Sequence, residues 1–154
     1  MYEKFCPTLF GFTLIELLVA ISIIGILFGV GITSYNQFNR RQILEQTARN
    51  IKEDLRMAQS KALSGEKPTG CSGILHGYRV NFYSSNYTIF AICQNPIQIK
   101  NFTLPSGITF SSYPASILFK VLGQGVIITG ATDITLSAFS QTRTITVTSS
   151  GEIN

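Results

Sequence analysis

The feature that most constrains this chain is an apolar run near its start. From Phe12 to Ile32 there are 21 residues and one charge, Glu16. A helix of that length spans about 30 Å, the thickness of a bilayer's hydrocarbon core. The run is therefore expected to be a transmembrane helix, with residues 1–11 as a short polar leader. Glu16 is the anomaly. A carboxylate inside an apolar span costs on the order of 2.5–3.5 kcal/mol on insertion scales, so it reads first as a functional group. Its natural partner is a cation at the same depth. Cleavage after Gly11 would supply one, the new α-amino group of Phe12, on the same chain or on a neighbour.

A secretory signal peptide is the competing reading of such a segment. Three features weigh against it. The leader's only charges are Glu3 and Lys4, which cancel. The apolar stretch is longer than an ordinary signal core, and Glu16 interrupts its start. Gly29 and Gly31 are the small residues at which that reading would place cleavage.

The segment Gly11-Phe12-Thr13-Leu14-Ile15-Glu16-Leu17-Leu18-Val19-Ala20-Ile21 resembles the class III signal of type IV pilins and type II secretion pseudopilins. The resemblance runs on through Leu27, over the leader and the first half of the expected helix. It implies a precursor cut by a prepilin peptidase between Gly11 and Phe12, then methylation of the Phe12 amine. It further implies a subunit held in the inner (cytoplasmic) membrane by one pass, with its globular domain extracytoplasmic. An assembly platform would then build it into a periplasmic or surface filament.

The helix is expected to continue past the membrane. Leu44, Ala48, Ile51, Leu55, Ala58 and Ala62 recur at spacings of four and three, one apolar stripe. Arg41, Glu45, Arg49 and Glu53 alternate in sign at i,i+4 on the wet side. Gly65 suits the residue after a helix end, and Pro68 follows shortly. Gly25 and Gly29 have the spacing that lets helices approach closely. Thr33 stands where many major pilins carry a proline, which leans toward a minor subunit.

Beyond Gly70 the period becomes two. Tyr78, Val80 and Phe82 alternate with polar neighbours, Ser84-Ser85-Asn86 marks a turn, and Tyr87–Cys93 returns. Further β-rich runs are Ile97–Leu104, Ile108–Ser111, Ile117–Val121 and Val126–Thr129, with alternation again around Ile134 and Ile145. The fold class is α+β: a long N-terminal helix packed on an antiparallel sheet, the pilin arrangement. The expected division is leader 1–11, helix 12–64 (12–32 transmembrane, 33–64 amphipathic) and a β-rich domain 65–154.

The order Ile108-Thr109-Phe110, Ile117-Leu118-Phe119, Gly123, Gly125, Ile134-Thr135-Leu136, Arg143-Thr144-Ile145-Thr146-Val147, Ser150-Gly151-Glu152-Ile153 is similar to the group uniting the type II secretion H subunit with FimT-like minor pilins. Members linked to DNA uptake tend to be basic near this terminus. Here Glu152 stands there, with Arg143 the only nearby cation, so nucleic acid is not expected as a partner.

Charge supports a membrane-proximal bias. Seven basic and four acidic side chains lie between Arg40 and Lys67, against four and two in the rest of the chain to Asn154. Such a bias beside an apolar span reads as topology or headgroup contact with lipid. Cys6 would leave with the leader. Cys71 and Cys93 would remain, either bridged across a loop of about 20 residues, worth about 3 kcal/mol, or as buried thiols. The one histidine, His76, cannot complete a metal site, and no serine or threonine has a neighbouring base motif. No catalytic residue, metal or cofactor is expected, and the function is read as structural. The rivals are a major pilin and an anchored adhesin or DNA receptor that never polymerises.

Overall fold

The computed structural model describes residue 11 and residues 13–154, without the side chains of residues 30–34. The elements are α1 (Leu14–Ser64), β1 (Gly77–Phe82), β2 (Asn86–Ile92), β3 (Ile97–Thr103), β4 (Thr109–Lys120), β5 (Val126–Ala138) and β6 (Gln141–Thr146). The chain divides into two compact units, Met1–Asn39 and Arg40–Asn154.

The described part of the first unit is the N-terminal portion of α1. Its apolar side chains are exposed on every side: Leu14, Ile15, Ile26, Leu27 and Phe28 each by 67% to 78%. Ser22 donates its hydroxyl to the Leu18 carbonyl at 2.8 Å, so this polar group is satisfied within the helix.

The second unit holds one core. Leu44, Ala48, Ile51, Leu55, Ala58 and Ala62 are all buried, as their spacing predicts. They share a hydrophobic cluster with residues of the sheet, among them Val80, Ile89, Phe119, Leu136 and Ile145. α1 stops where the sequence signals it should. Gly65 adopts φ +63°, its N–H donates to the Ala62 carbonyl, and the Glu66 N–H donates to that of Lys61. That double closure uses glycine's freedom at positive φ.

The sheet is antiparallel with six strands in the order β3-β2-β1-β4-β5-β6. Sequence patterning breaks β4 and β5 into two runs each, and the structure joins them. Pro114 sits in mid β4 and pairs across the ladder with Gly130, which has φ +100°. The register shifts on both sides of Pro114. A bulge absorbs the missing donor and the left-handed residue, so the strands continue through a spot that reads as a break.

Polar contacts from Asp54, Glu45 and Gln59 tie α1 to the sheet and its tail. Asp54, 7% exposed, accepts from Tyr87 Oη at 2.5 Å and from Lys100 Nζ at 2.7 Å. Glu45 Oε1 accepts from Arg143 Nη2 on β6 at 2.7 Å. Gln59 donates to the Gly151 carbonyl at 2.8 Å. The expected ladder along α1 is therefore incomplete. Arg49 stands 3.9 Å from Glu45, whose short contact goes to Arg143 instead. Both competitors are guanidiniums, and Arg143, the less exposed of the two, loses less of its attraction to solvent screening.

These contacts set a pH dependence. Burial, then the hydrogen bond to Asp54, raises the Tyr87 pKa well above the ordinary tyrosine value. Burial raises Tyr78 also, and the Glu66 hydrogen bond raises Lys61. Below about pH 10 these groups stay protonated in both folded and unfolded chains, so their contribution is fully present. Above it the unfolded chain releases protons that the folded one keeps, and stability falls. The urea midpoint in detergent should drop steadily above about pH 10. Tyr87→Phe should flatten that drop. A midpoint that stays level into strong alkali would contradict the assignment.

Candidate functional site

The sequence places the functional group at the start of α1, and the geometry there is a helix cap. Thr13 precedes the first helical residue. Its side-chain Oγ1 accepts the Glu16 N–H at 3.3 Å, and its carbonyl accepts the Leu17 N–H at 3.2 Å. Thr13-Leu14-Ile15-Glu16 is the Ser/Thr-x-x-Glu pattern of a capping box. Reading Glu16 only as a charge in an apolar run passes over this signal, which the spacing carries openly. As the acid in the first turn, Glu16 also complements the positive end of the helix dipole.

Gly11 is exposed, and a Cβ added there would meet nothing within 4 Å. The expected cleavage bond joins it to Phe12, which lies outside the described residues, as does the expected methylated amine. Glu16 is exposed, and among the described residues it makes no ion pair. The carboxylate is thus presented outward from a helix whose other side chains here are almost all apolar. Such a surface is stable only under lipid or against other helices. Among the described residues no helix is long and apolar enough to cross a membrane. The expected span 12–32 includes Phe12 and the side chains of residues 30–32, outside that description.

Elsewhere the predicted residues fall far from this start in sequence. Cys71 and Cys93 lie in disulfide geometry, with Cα atoms 5.7 Å apart and a sequence separation of 22. His76 is exposed at the entry to β1. A cleft of about 220 Å³ between α1 and β6 is lined by Glu45, Arg49, Lys52 and Arg143. Its most central charges, Glu45 and Arg143, already satisfy each other. The Arg143 hydrogen bond holds the Glu45 carboxyl below its ordinary pKa. Among the described residues no group of three or more His, Cys, Asp and Glu side chains could hold a metal ion.

Residues 10–32 match the family described as the prokaryotic N-terminal methylation motif. The match covers the capped helix start and the apolar run, 23 residues counted from 10 through 32. No curated protein and no solved structure matches the chain. The motif supports a pilin-type subunit made as a prepilin precursor, with other pilin subunits and prepilin peptidase as partners. It points to a structural role and a membrane anchor. The fold that follows it, a helix and then a six-stranded antiparallel sheet, is the α+β arrangement of pilins.

Proposed function

We propose that this protein is a minor pilin or pseudopilin precursor. Prepilin peptidase cuts it between Gly11 and Phe12, and the Phe12 amine is methylated. Residues 12–32 anchor the chain in the inner membrane and later form the filament core. The Glu16 carboxylate pairs with the Phe12 ammonium of an adjacent subunit, which offsets the cost of burying either charge and sets the axial register. Residues 65–154 supply the β-rich domain outside the membrane, with Cys71 and Cys93 bridged in that oxidising compartment.

One observation carries this reading. The methylation-motif match falls on a capped helix that exposes apolar side chains all round and a single outward carboxylate. A globular domain has no use for such a surface, whereas a helical bundle built from many copies does. The layout of the last 50 or so residues favours the group shared by the type II secretion H subunit and FimT-like minor pilins. That layout, together with Thr33, supports a minor subunit over an abundant shaft subunit.

Processing is the direct test. Intact-mass measurement of the membrane-extracted protein should give a chain beginning at Phe12 and carrying one methyl group. A mature chain beginning after Gly31 would identify an ordinary signal peptide, and the filament reading would go with it.

A further inference from the structure

One end of the Arg40–Asn154 unit carries an unusual set of residues. The β5–β6 turn is made by Phe139 and Ser140, both at positive φ, +51° and +64°. Two-residue hairpin turns of this shape normally take Asn-Gly or Gly-Gly, because other residues are strained there. A phenylalanine at such a position is a costly choice, and strain of this kind points to a use for the side chain. The ring is 43% exposed. The Arg40 guanidinium lies 4.6 Å from its centroid. Gly107 makes room beneath it, since a Cβ there would come within 2.9 Å of Phe139 Cζ.

The neighbouring loops share the same end. Leu104 N–H donates to Ser85 and Phe110 N–H donates to Ser84, which brings the β1–β2 turn beside the β3–β4 loop. Tyr83 in that turn is 50% exposed. Arg41 is exposed next to Arg40. Residues 83–85, 104–109 and 137–142 contain no Asp or Glu, and neither does the chain from 17 to 44. The nearest acid along α1, Glu45, is engaged by Arg143.

We propose that this end, with Phe139, Tyr83, Arg40 and Arg41, docks on the anionic lipid surface of the membrane in which the chain is anchored. The inference rests on the reading of residues 12–32 as that anchor. Aromatic rings with one wet edge, beside two arginines whose nearest acid on the helix, Glu45, is held by Arg143, are the chemistry of the headgroup layer. Charge complementarity selects an anionic surface, and each cation near it is worth about fivefold in binding. The tether permits it. Arg40 follows Ile32 by only eight residues along the chain. Docking would hold the β-domain against the bilayer until a filament lifts it away.

The chain has no tryptophan, so single replacements report cleanly. Phe139→Trp, Ile74→Trp at the opposite end of the sheet, and Leu18→Trp in the apolar run should each be made in the full chain. Each is reconstituted in vesicles of phosphatidylcholine and phosphatidylglycerol containing lipid brominated close to the carbonyl. Tryptophan fluorescence of the Phe139→Trp protein should be quenched at least about twofold more than that of Ile74→Trp. Adding Arg40→Gln and Arg41→Gln, or omitting phosphatidylglycerol, should remove most of the difference. Tyr83→Trp repeats the measurement without touching the strained turn. Equal quenching of Phe139→Trp and Ile74→Trp, with Leu18→Trp strongly quenched, overturns the docking and leaves the anchor standing. An unquenched Leu18→Trp overturns the anchor itself. Emission from Phe139→Trp that shifts to the blue with protein density but ignores bromine would assign the face to another subunit, and overturns the lipid assignment.

Discussion

Glu16→Gln is expected to give a processed, inserted subunit that enters filaments roughly tenfold less often than the wild type, the effect of losing about 1.4 kcal/mol at the subunit contact. Glu16→Leu should insert more easily, by about 2.5–3.5 kcal/mol, and yet assemble just as poorly. The two variants separate the roles that one carboxylate plays here. Glutamine keeps the capping-box pattern with Thr13 and discards only the charge. Leucine discards both. The measurement is the fraction of tagged subunit in sheared filaments relative to its membrane pool. If Glu16→Gln assembles normally and Glu16→Leu does not, the residue serves to start the helix and the ammonium pairing is wrong. If both assemble normally, the carboxylate acts before assembly, in recognition by the peptidase or the platform.

Lys100→Met should be the more damaging half of the Asp54–Lys100 pair. Asp54 is 7% exposed, with one oxygen facing Lys100 Nζ at 2.7 Å and the other facing Tyr87 Oη at 2.5 Å. Removing the lysine strands a buried carboxylate with a single hydroxyl donor, a loss of about 3–5 kcal/mol. Removing the acid instead frees a lysine side chain that is 41% exposed and can turn to water. Asp54→Leu then costs chiefly the unsatisfied Tyr87 hydroxyl, about 1–3 kcal/mol. Equilibrium urea unfolding of the two variants and of the double replacement gives the order directly. A Lys100→Met chain within about 1 kcal/mol of wild type would show that solvent reaches Asp54 in place of the lysine.

Periodicity made most of the second unit legible. Every member of the Leu44–Ala62 stripe is buried, because a 3.6-residue period can be hidden on only one face. The glycine after Ser64 ended the helix for the reason its sequence context suggests. Strand existence and the antiparallel class also followed from alternation. The lengths of β4 and β5 did not. Patterning ends its runs at Ser111 and Thr129, and only the pairing of Pro114 with Gly130 across the ladder carries both strands onward through one bulge.

At the candidate site the chain's start carries its meaning locally. The Gly11–Glu16 motif, the cap at Thr13 and the apolar run are all contiguous, so neighbours along the chain suffice to recognise them. The partners that use this start are other molecules, and a single chain can present the surface but not fill it. What tertiary structure alone decided are contacts between residues far apart in number. Asp54 meets Tyr87 and Lys100, Glu45 turns from its helical neighbour to Arg143, and Arg40 meets Phe139. Periodicity says which face of an element is buried. It is silent on which charged residue of a distant strand will stand opposite, because strand order and register are set by the packing of the whole core.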